Sequence, residues 1–133
     1  MRVLLTHADF IEFKPTVKEL RSADEVEKKL YRYEELVVAF TAIEQGDENK
    51  IDQMINEIKT ALSRIGVKKI LVYPFAHLSN NLAKPGTAKE LLQKFIEKLK
   101  NEGYEVYKAP FGWTKALHIK VKGHPLAEQL RTV

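Results

Sequence analysis

Two loops carry most of the side chains whose types could do chemistry. The first loop, Pro74–Pro85, reads PFAHLSNNLAKP and holds an imidazole at His77 and a hydroxyl at Ser79. It follows the apolar run KKILVY, and ligands of open α/β sheets bind at the carboxyl ends of such strands. The second loop, Ala109–Lys115, reads APFGWTK and ends on the primary amine of Lys115. These two loops predict a binding pocket between them.

Lys115 stands on the apolar face of a predicted strand. Side chains alternate between the two faces of a strand, so it shares its face with Leu117, Ile119 and Val121. Either the lysine snorkels to water at the start of the strand, or it is partly desolvated and directed into a pocket. In the second case its ammonium could hold an anionic or ester substrate, and a lowered pKa would let it act as a base. The residues alone leave both interpretations open, and they leave open whether the Pro74–Pro85 loop is only packed against the core.

Other catalytic chemistries find no support in the residue spacing. The four histidines show no i, i+4 pairing or other metal-ligand spacing. Ser79 lacks the G-x-S-x-G elbow of a serine nucleophile, and no glycine-rich phosphate motif is present for a nucleotide cofactor. The chain has no cysteine, which excludes thiol nucleophiles and disulfides and is compatible with the cytoplasm. We therefore expect neither a metal nor a cofactor.

The composition is that of a single globular domain with an uneven charge. With 133 residues, 44% hydrophobic and 30% charged, the chain is too apolar for a disordered tail and has no apolar run that could span a membrane. Residues 1–66 hold 10 Lys and Arg against 13 Asp and Glu, whereas residues 67–133 hold 12 against 5. This asymmetry favours contact of the basic second half with nucleic acid or phosphate. A solvated lysine-rich surface is the alternative.

Hydrophobic periodicity predicts the elements that position the two loops. Residues 51–65 have the apolar spacing of an amphipathic helix, and residues 88–99 repeat it. The apolar runs 36–43 and 68–73 are typical of buried strands, and 104–108 reads as a third. Strands that alternate with helices in this way pair in parallel. With antiparallel strands flanking them, we predict an α/β or α+β fold, a mixed β-sheet with helices packed on it.

Local signals predict where several elements begin. The capping boxes Ser22–Glu25 and Thr87–Glu90 indicate helix starts, the first of them for a short helix before residue 30. Asp47 or Asn49 is expected to cap the helix of residues 51–65. After the break at GHP, Leu126–Leu130 is expected to form a short terminal helix. Residues 2–17 are expected to form a strand with a bend, or a hairpin.

Five segments together resemble a known family. They stand in this order along the chain: MRVLLTHADFIEF, LVVAFTAIE, VYPFAHLS-x-x-LAKP, KAPFGW-x-KA and KGHPLAE-x-x-R. From Met1 to about Val133 the sequence resembles the N-terminal editing domain of archaeal threonyl-tRNA synthetases. The segments VYPFAHLS and KAPFG-x-x-KA in this order are much more specific than a short motif.

The resemblance implies a D-aminoacyl-tRNA deacylase-like fold, a homodimer and hydrolysis of L-serine mischarged on threonine tRNA. Residues 1–133 would be the editing domain, either an N-terminal fragment of a longer synthetase with aminoacylation and anticodon domains or a separate editing protein. Its partner would be the acceptor end of tRNA(Thr) carrying serine, and its location cytoplasmic, with no membrane. The RNA's own vicinal hydroxyl is expected to assist the attack of water on the ester.

The matching segments also imply residue roles. Lys115 resembles the family's active-site lysine near the ester, and His77 resembles the histidine of the YPFAHLS loop, so both are the expected catalytic residues. A carboxylate that engages the substrate amine is expected at Glu128 in GHPLAE. The substrate-binding residues implied by the resemblance are Ile43, Pro74, Phe75, Ala76, Phe111 and Glu128.

One position departs from the family pattern, and two other functions fit the same residues. Where the family has Tyr-Tyr before the lysine, this chain has Trp113-Thr114, which leaves the role of Thr114 open. The alternatives to serine editing are a D-aminoacyl-tRNA deacylase and a non-catalytic module for tRNA binding or dimerisation. We expect the side with Pro74–Lys84 and Ala109–Lys122 to face the RNA, because that half of the chain is basic.

Overall fold

The apolar run at residues 36–42 forms the middle of a mixed β-sheet, because its side chains are apolar on both faces. The computed structural model describes residues 1–133. Short 3₁₀ turns at Asp47–Asn49 and Ala76–Leu78 precede the two α-helices. The elements in chain order are β1 (Arg2–Lys18), β2 (Tyr31–Ala42), α1 (Ile51–Ser63), β3 (Lys69–Pro74), α2 (Pro85–Asn101), β4 (Glu105–Lys108), β5 (Trp113–Val121) and β6 (Glu128–Thr132).

The sheet combines parallel and antiparallel pairs in the order β4-β3-β2-β1-β5, with β6 paired to the first residues of β1. β2, β3 and β4 are parallel, as expected for strands joined by helical crossovers. β1 is antiparallel to β2, β5 and β6. The predicted mixed sheet is therefore confirmed. β1 is a single strand rather than a hairpin, and its register with β5 shifts at Ala8/Phe10 and at Pro15/Val17, irregularities of the kind that bend a strand.

Both faces of the central strands are buried, against different partners. On one face Val37 and Ile70 pack with the apolar stripes of α1 and α2 in a core of 21 buried residues. On the other face Val38 and Leu71 belong to a second core of nine buried residues that is rich in aromatic rings. The helical stripe predicted for α1 is confirmed by its buried residues, which are Ile51, Met54, Ile55, Ile58, Ala61 and Leu62.

The segment between β1 and β2 contains no helix, so the helix predicted from the Ser22–Glu25 capping box is wrong. Its polar groups are bound by distant parts of the chain instead. The Asp24 N–H donates to the Phe111 carbonyl at 3.0 Å, and the Ser22 carbonyl accepts from Lys89 Nζ at 2.7 Å. The Ser22 carbonyl, which would accept the first hydrogen bond of a helix capped at Ser22, is thus used by α2 instead.

The terminal helix predicted at Leu126–Leu130 is also wrong. These residues lead into β6, whose backbone pairs with Arg2–Thr6 of β1. Gln129 is buried and Leu130 is exposed, which is the alternation of a strand with one covered face. The segment becomes a strand because it pairs with the edge of β1, and no local signal in the sequence reveals that edge.

Neither helix uses its predicted cap. α1 has Lys50 at its N-cap without a side-chain bond, because Asp47 instead accepts a hydrogen bond from the Met1 ammonium at 2.8 Å. α2 begins at Pro85 rather than at Thr87, and proline suits the first helical position because it has no N–H to leave unpaired. No helix is long and apolar enough to cross a membrane.

Candidate active site

A cleft of about 450 Å³ opens beside the carboxyl end of β3. This volume lies within the range of roughly 300–1,000 Å³ typical of small-molecule sites. Two segments supply ten of its 21 lining residues, and we call residues 74–85 the strand-end loop and residues 109–113 the lysine turn. The residues that line the cleft are Glu19, Leu20, Thr41, Ala42, Ile43, Tyr73, Pro74, Phe75, Ala76, His77, Leu82, Ala83, Pro85, Ala88, Leu92, Phe111, Gly112, Trp113, Thr114, Lys115 and Leu117.

The cleft brings together all but one of the site residues expected from the sequence. Both expected catalytic residues, Lys115 and His77, line it. So do five of the six expected binding residues, which are Ile43, Pro74, Phe75, Ala76 and Phe111. The exception is Glu128, which lies exposed on β6 opposite Thr6 and does not line the cleft. Within one chain, therefore, this carboxylate is not assembled with Lys115.

The strand-end loop is positioned by backbone bonds to β2 and the residues that follow it. Thr41 and Pro74 are register partners at the ends of two parallel strands, so the chain leaves both strands at the same edge. The Phe75 N–H donates to the Thr41 carbonyl at 2.8 Å, and the Ala83 N–H donates to the Ile43 carbonyl at 3.0 Å. These bonds hold both ends of the loop against the end of the sheet.

Ser79 ties the middle of the strand-end loop to a buried charge network. Its hydroxyl donates to Glu44 Oε2 at 2.5 Å, while Glu44 Oε1 accepts from the Met1 ammonium at 2.9 Å. Partial burial opposes ionisation of Glu44, but these two hydrogen bonds outweigh burial and lower its pKa below the ordinary value. Because its hydroxyl is used in this bond, Ser79 has a structural role.

Lys115 enters the cleft at the start of β5 and does not snorkel to solvent. Its Nζ donates to the Pro110 carbonyl at 3.1 Å and to the Trp113 carbonyl at 3.0 Å, both in the lysine turn. The same nitrogen lies 4.7 Å from the centre of the Tyr73 ring, a cation–π distance. An ammonium has three N–H donors, so one remains for a ligand in the cleft.

The environment of Lys115 weakens its hold on a proton. Burial lowers the pKa of Lys115 from its ordinary value to about 8, and the negative charge of Asp24 partly opposes this effect. No carboxylate forms an ion pair with its Nζ. At neutral pH the lysine is therefore a cation that carbonyl dipoles and an aromatic face hold in a partly desolvated site.

His77 lies on the 3₁₀ turn of the strand-end loop. Its ring meets the Phe75 ring edge to face at a centroid distance of 5.4 Å, and Phe75 in turn packs against Phe40 of β2 at 5.3 Å. The imidazole is exposed and lines the cleft. This stack of aromatic rings sets the position of His77 and leaves both ring nitrogens available to a ligand.

The structure reveals site residues that the sequence reasoning missed. Tyr73 forms the floor under Lys115, and burial raises the pKa of its phenol to about 12, so the ring stays neutral. The sequence contains a signal for Tyr73 as a site residue, because Tyr73 lies near the end of a buried strand, directly before the strand-end loop. Glu19 is the one carboxylate that lines the cleft, and it accepts a hydrogen bond from the Thr114 hydroxyl at 2.8 Å. Thr114 thus holds a rim carboxylate.

Two further features bear on metals and on charge. No cluster of three or more His, Asp or Glu side chains that could hold a metal ion is present. A histidine pair does exist away from the cleft, where His7 Nδ1 lies 2.8 Å from His124 Nε2 at the junction of β5 and β6.

Sixteen of the 21 lining residues belong to the basic second half of the chain.

Sequence and structure comparisons place the chain among known proteins. A family model described as the archaea-specific editing domain of threonyl-tRNA synthetase matches residues 1–133. Threonine--tRNA ligases of Nitrosopumilus maritimus, Nanoarchaeum equitans and Pyrococcus horikoshii are 50%, 45% and 44% identical to the chain. Each match covers 100% of this chain and 21–22% of the relative, so the chain spans about a fifth of these ligases.

A solved structure shows the same fold with little sequence similarity. The c-Myc DNA Unwinding Element Binding Protein superposes with a TM-score of 0.75 at 11% identity, and the match covers 100% of this chain and 99% of the other. At that identity the likeness concerns the fold alone. It confirms the expected α+β fold with a mixed sheet.

Proposed function

Since the chain belongs to the archaea-specific editing domains of threonyl-tRNA synthetase, we propose that it hydrolyses the ester of L-serine mischarged on tRNA(Thr). The observation that carries this proposal is the cleft that Lys115 and His77 both line. Its two walls come from the two segments that resemble the family most specifically. We also propose that residues 1–133 are the editing unit of a longer synthetase. The related ligases are about five times as long as this chain.

The need for a second hydrolytic site follows from the size of the amino acids. Serine differs from threonine by one methyl group, and a pocket built for the larger side chain rejects the smaller one by only about 1–3 kcal/mol. A separate site that hydrolyses the wrong ester supplies the missing discrimination. A cleft of about 450 Å³ has room for a seryl group and part of the terminal adenosine.

The proposed chemistry is attack of water on the aminoacyl ester. The water oxygen bonds to the ester carbonyl carbon, the bond to the ribose oxygen breaks, and a proton passes to that oxygen to regenerate the tRNA hydroxyl and release serine. Negative charge develops on the carbonyl oxygen in the transition state, and the free N–H of Lys115 is placed to stabilise it. The partly desolvated setting strengthens that interaction, because the local dielectric is lower than in water.

The remaining residues orient the substrate. Ile43, Phe111 and the Pro74–Ala76 backbone offer apolar walls and carbonyl groups for the seryl and adenosine parts. His77, exposed at the rim, is placed to hold the attacking water or the vicinal hydroxyl of the terminal ribose, which we propose assists the attack. No covalent nucleophile is required, because an aminoacyl ester is already activated and positioning supplies much of the rate.

The macromolecular partners are also proposals. We propose that the acceptor end of tRNA(Thr) docks on the side formed by Pro74–Lys84 and Ala109–Lys122, because this half of the chain carries the positive charge. The aminoacylation and anticodon domains would belong to the same synthetase, and two copies of the chain would form a homodimer. In such a dimer the exposed Glu128 would be available to a second copy, whereas it does not line the cleft of its own chain.

The test is release of serine from Ser-tRNA(Thr) by the 133-residue chain at micromolar concentration. Thr-tRNA(Thr) and D-Tyr-tRNA serve as competing substrates, and K59M serves as the control, since Lys59 is an exposed lysine of α1 that pairs with Glu102 and lies outside the cleft and the proposed RNA-facing side. Serine release that K115M abolishes and K59M retains supports the proposal. Preferred hydrolysis of D-Tyr-tRNA would replace it with D-aminoacyl-tRNA deacylation. RNA binding without turnover in either variant would indicate a non-catalytic module.

A further inference from the structure

Asp24 binds the lysine turn through its side chain and its backbone. Its carboxylate Oδ2 accepts from the Phe111 N–H at 2.9 Å, and its own N–H donates to the Phe111 carbonyl at 3.0 Å. Its carbonyl accepts from the Trp113 indole Nε1 at 2.7 Å. One carboxylate oxygen, the N–H and the carbonyl of this residue are thus all bonded to the turn that carries the two carbonyl acceptors of Lys115.

The Asp24 carboxylate is a stable anion in this position. Lys108 Nζ lies 2.8 Å from Oδ2, and Lys89 Nζ lies 3.4 Å from Oδ1. Partial burial opposes ionisation, but the hydrogen bonds from Lys108 and the Phe111 N–H outweigh it, so the pKa of Asp24 is below its ordinary value. The side chain is only 18% exposed, which is a low exposure for an aspartate in a segment without regular structure.

The backbone of the same segment packs tightly on the turn. Gly112 has φ of +80°, and a Cβ built onto it would lie 2.8 Å from the Cβ of Ala23. The Glu19 N–H also donates to the Gly112 carbonyl at 2.9 Å. The segment of residues 19–24 therefore acts as a rigid support behind the lysine turn.

Asp24 does not touch the cleft in which Lys115 lies. It lines a separate small cavity of about 150 Å³, which Lys108 and Pro110 also line. Its effect on the lysine is consequently indirect, through the carbonyls of Pro110 and Trp113 and through charge. We propose that Asp24 is a positioning residue for the deacylation, which holds the lysine turn so that the Lys115 ammonium is presented at one place in the cleft. This inference rests on the proposed function of Lys115.

The test is D24N, with E12Q as the matched control. Asparagine keeps the shape and one acceptor oxygen but loses the charge. Glu12 on β1 is a carboxylate of similar exposure, 21%, which pairs with Arg32 of β2 and does not line the cleft. In D24N we expect kcat for serine release to fall about tenfold with KM changed less than twofold, because a slightly misplaced group loses transition-state stabilisation rather than binding. E12Q should keep wild-type kcat.

A second measurement needs no substrate, so it separates failure of this inference from failure of the proposed function. The Lys115 ammonium is titrated by NMR of its labelled side chain in both variants. Loss of the Asp24 charge should move the Lys115 titration to lower pH in D24N, while E12Q should leave it in place. A Lys115 titration and kcat in D24N that match those of E12Q would overturn the inference, whether or not serine is the substrate.

D24E keeps the experiment decisive if D24N does not fold. Glutamate retains the charge but, with an extra methylene, displaces the acceptor of the Phe111 N–H. We expect an unchanged Lys115 titration together with a kcat reduced about threefold or more, since position and not charge is altered. Wild-type kcat in a folded D24E would contradict the positioning role.

Discussion

The strand-end loop and the lysine turn form two walls of one cleft but are held in place by different means. The loop begins where two parallel strands end, and backbone bonds to Thr41 and Ile43 hold it there. The turn depends on Asp24, which lies 87 residues away from its partner Phe111 in the sequence. The position of the first wall thus follows from the sheet, whereas the position of the second depends on long-range contacts with the segment of residues 19–24. Substitutions in the two walls should therefore have different effects.

The largest loss of activity is expected when the Lys115 ammonium, which the lysine turn holds, is removed. K115M keeps most of the side-chain volume and removes the ammonium. We expect kcat for serine release to fall about a hundredfold or more, the usual loss when a donor to a developing oxyanion is removed. Single-turnover hydrolysis of Ser-tRNA(Thr) measures the loss, with K59M as the control. A K115M rate within twofold of the K59M rate would mean that the two walls do not differ in function.

The next effect is on stability and tests how tightly the lysine turn is supported. G112A places a Cβ against Ala23 and forces a non-glycine residue to φ of +80°. We expect a loss of about 2 kcal/mol in the free energy of unfolding, measured in urea. G86A is the control, because nothing lies within 4 Å of the added Cβ in α2 and alanine favours a helix. Equal stability of the two variants would mean that the support behind the turn is loose.

A smaller effect is expected from the side chain that ties down the strand-end loop. S79A removes the hydroxyl that donates to Glu44 at 2.5 Å, but the backbone bonds of the loop remain. We expect a loss of about 1 kcal/mol in stability and an upward shift of the Glu44 pKa. The comparison variant is S63A, whose exposed hydroxyl bonds only to the carbonyl of Thr60 in α1. A loss in S79A as large as that in G112A would show that both walls depend on single side chains.

The smallest effect is expected at His77, on the strand-end loop. The imidazole is exposed and makes no hydrogen bond within the chain, so H77A removes a group that positions substrate or water rather than one that bears the developing charge. We expect kcat/KM to fall about three- to tenfold, with folding unchanged. If H77A instead lost as much activity as K115M, the chemistry would have to be divided equally between the two walls.

The same contrast explains what the sequence could predict. The parallel strands and both helices follow from hydrophobic periodicity, which is a local pattern. Of the seven expected site residues that line the cleft, His77 and Lys115 stand in loops that the residues themselves single out, and the other five follow only from the resemblance to a known family. The supposed helix after Ser22 and the one at Leu126–Leu130 are wrong, because distant partners outcompete local propensity: Phe111 for Asp24, and β1 for β6. Asp24 has no local signal at all, since its role arises only when the chain folds back on itself. Glu128 shows the limit of carrying a role over by motif, because a single chain does not bring it to the cleft.

The most direct test of the account is the pH dependence of serine release under single-turnover conditions. Lys115 has a pKa lowered to about 8, so the ammonium form predominates below that pH and is lost as pH rises through it. After subtraction of spontaneous hydrolysis, the wild-type rate should therefore fall above pH 8, while the residual K115M rate should show no such fall. A wild-type rate that keeps rising through pH 8 to 10 would contradict the ammonium role and assign Lys115 the role of a base instead.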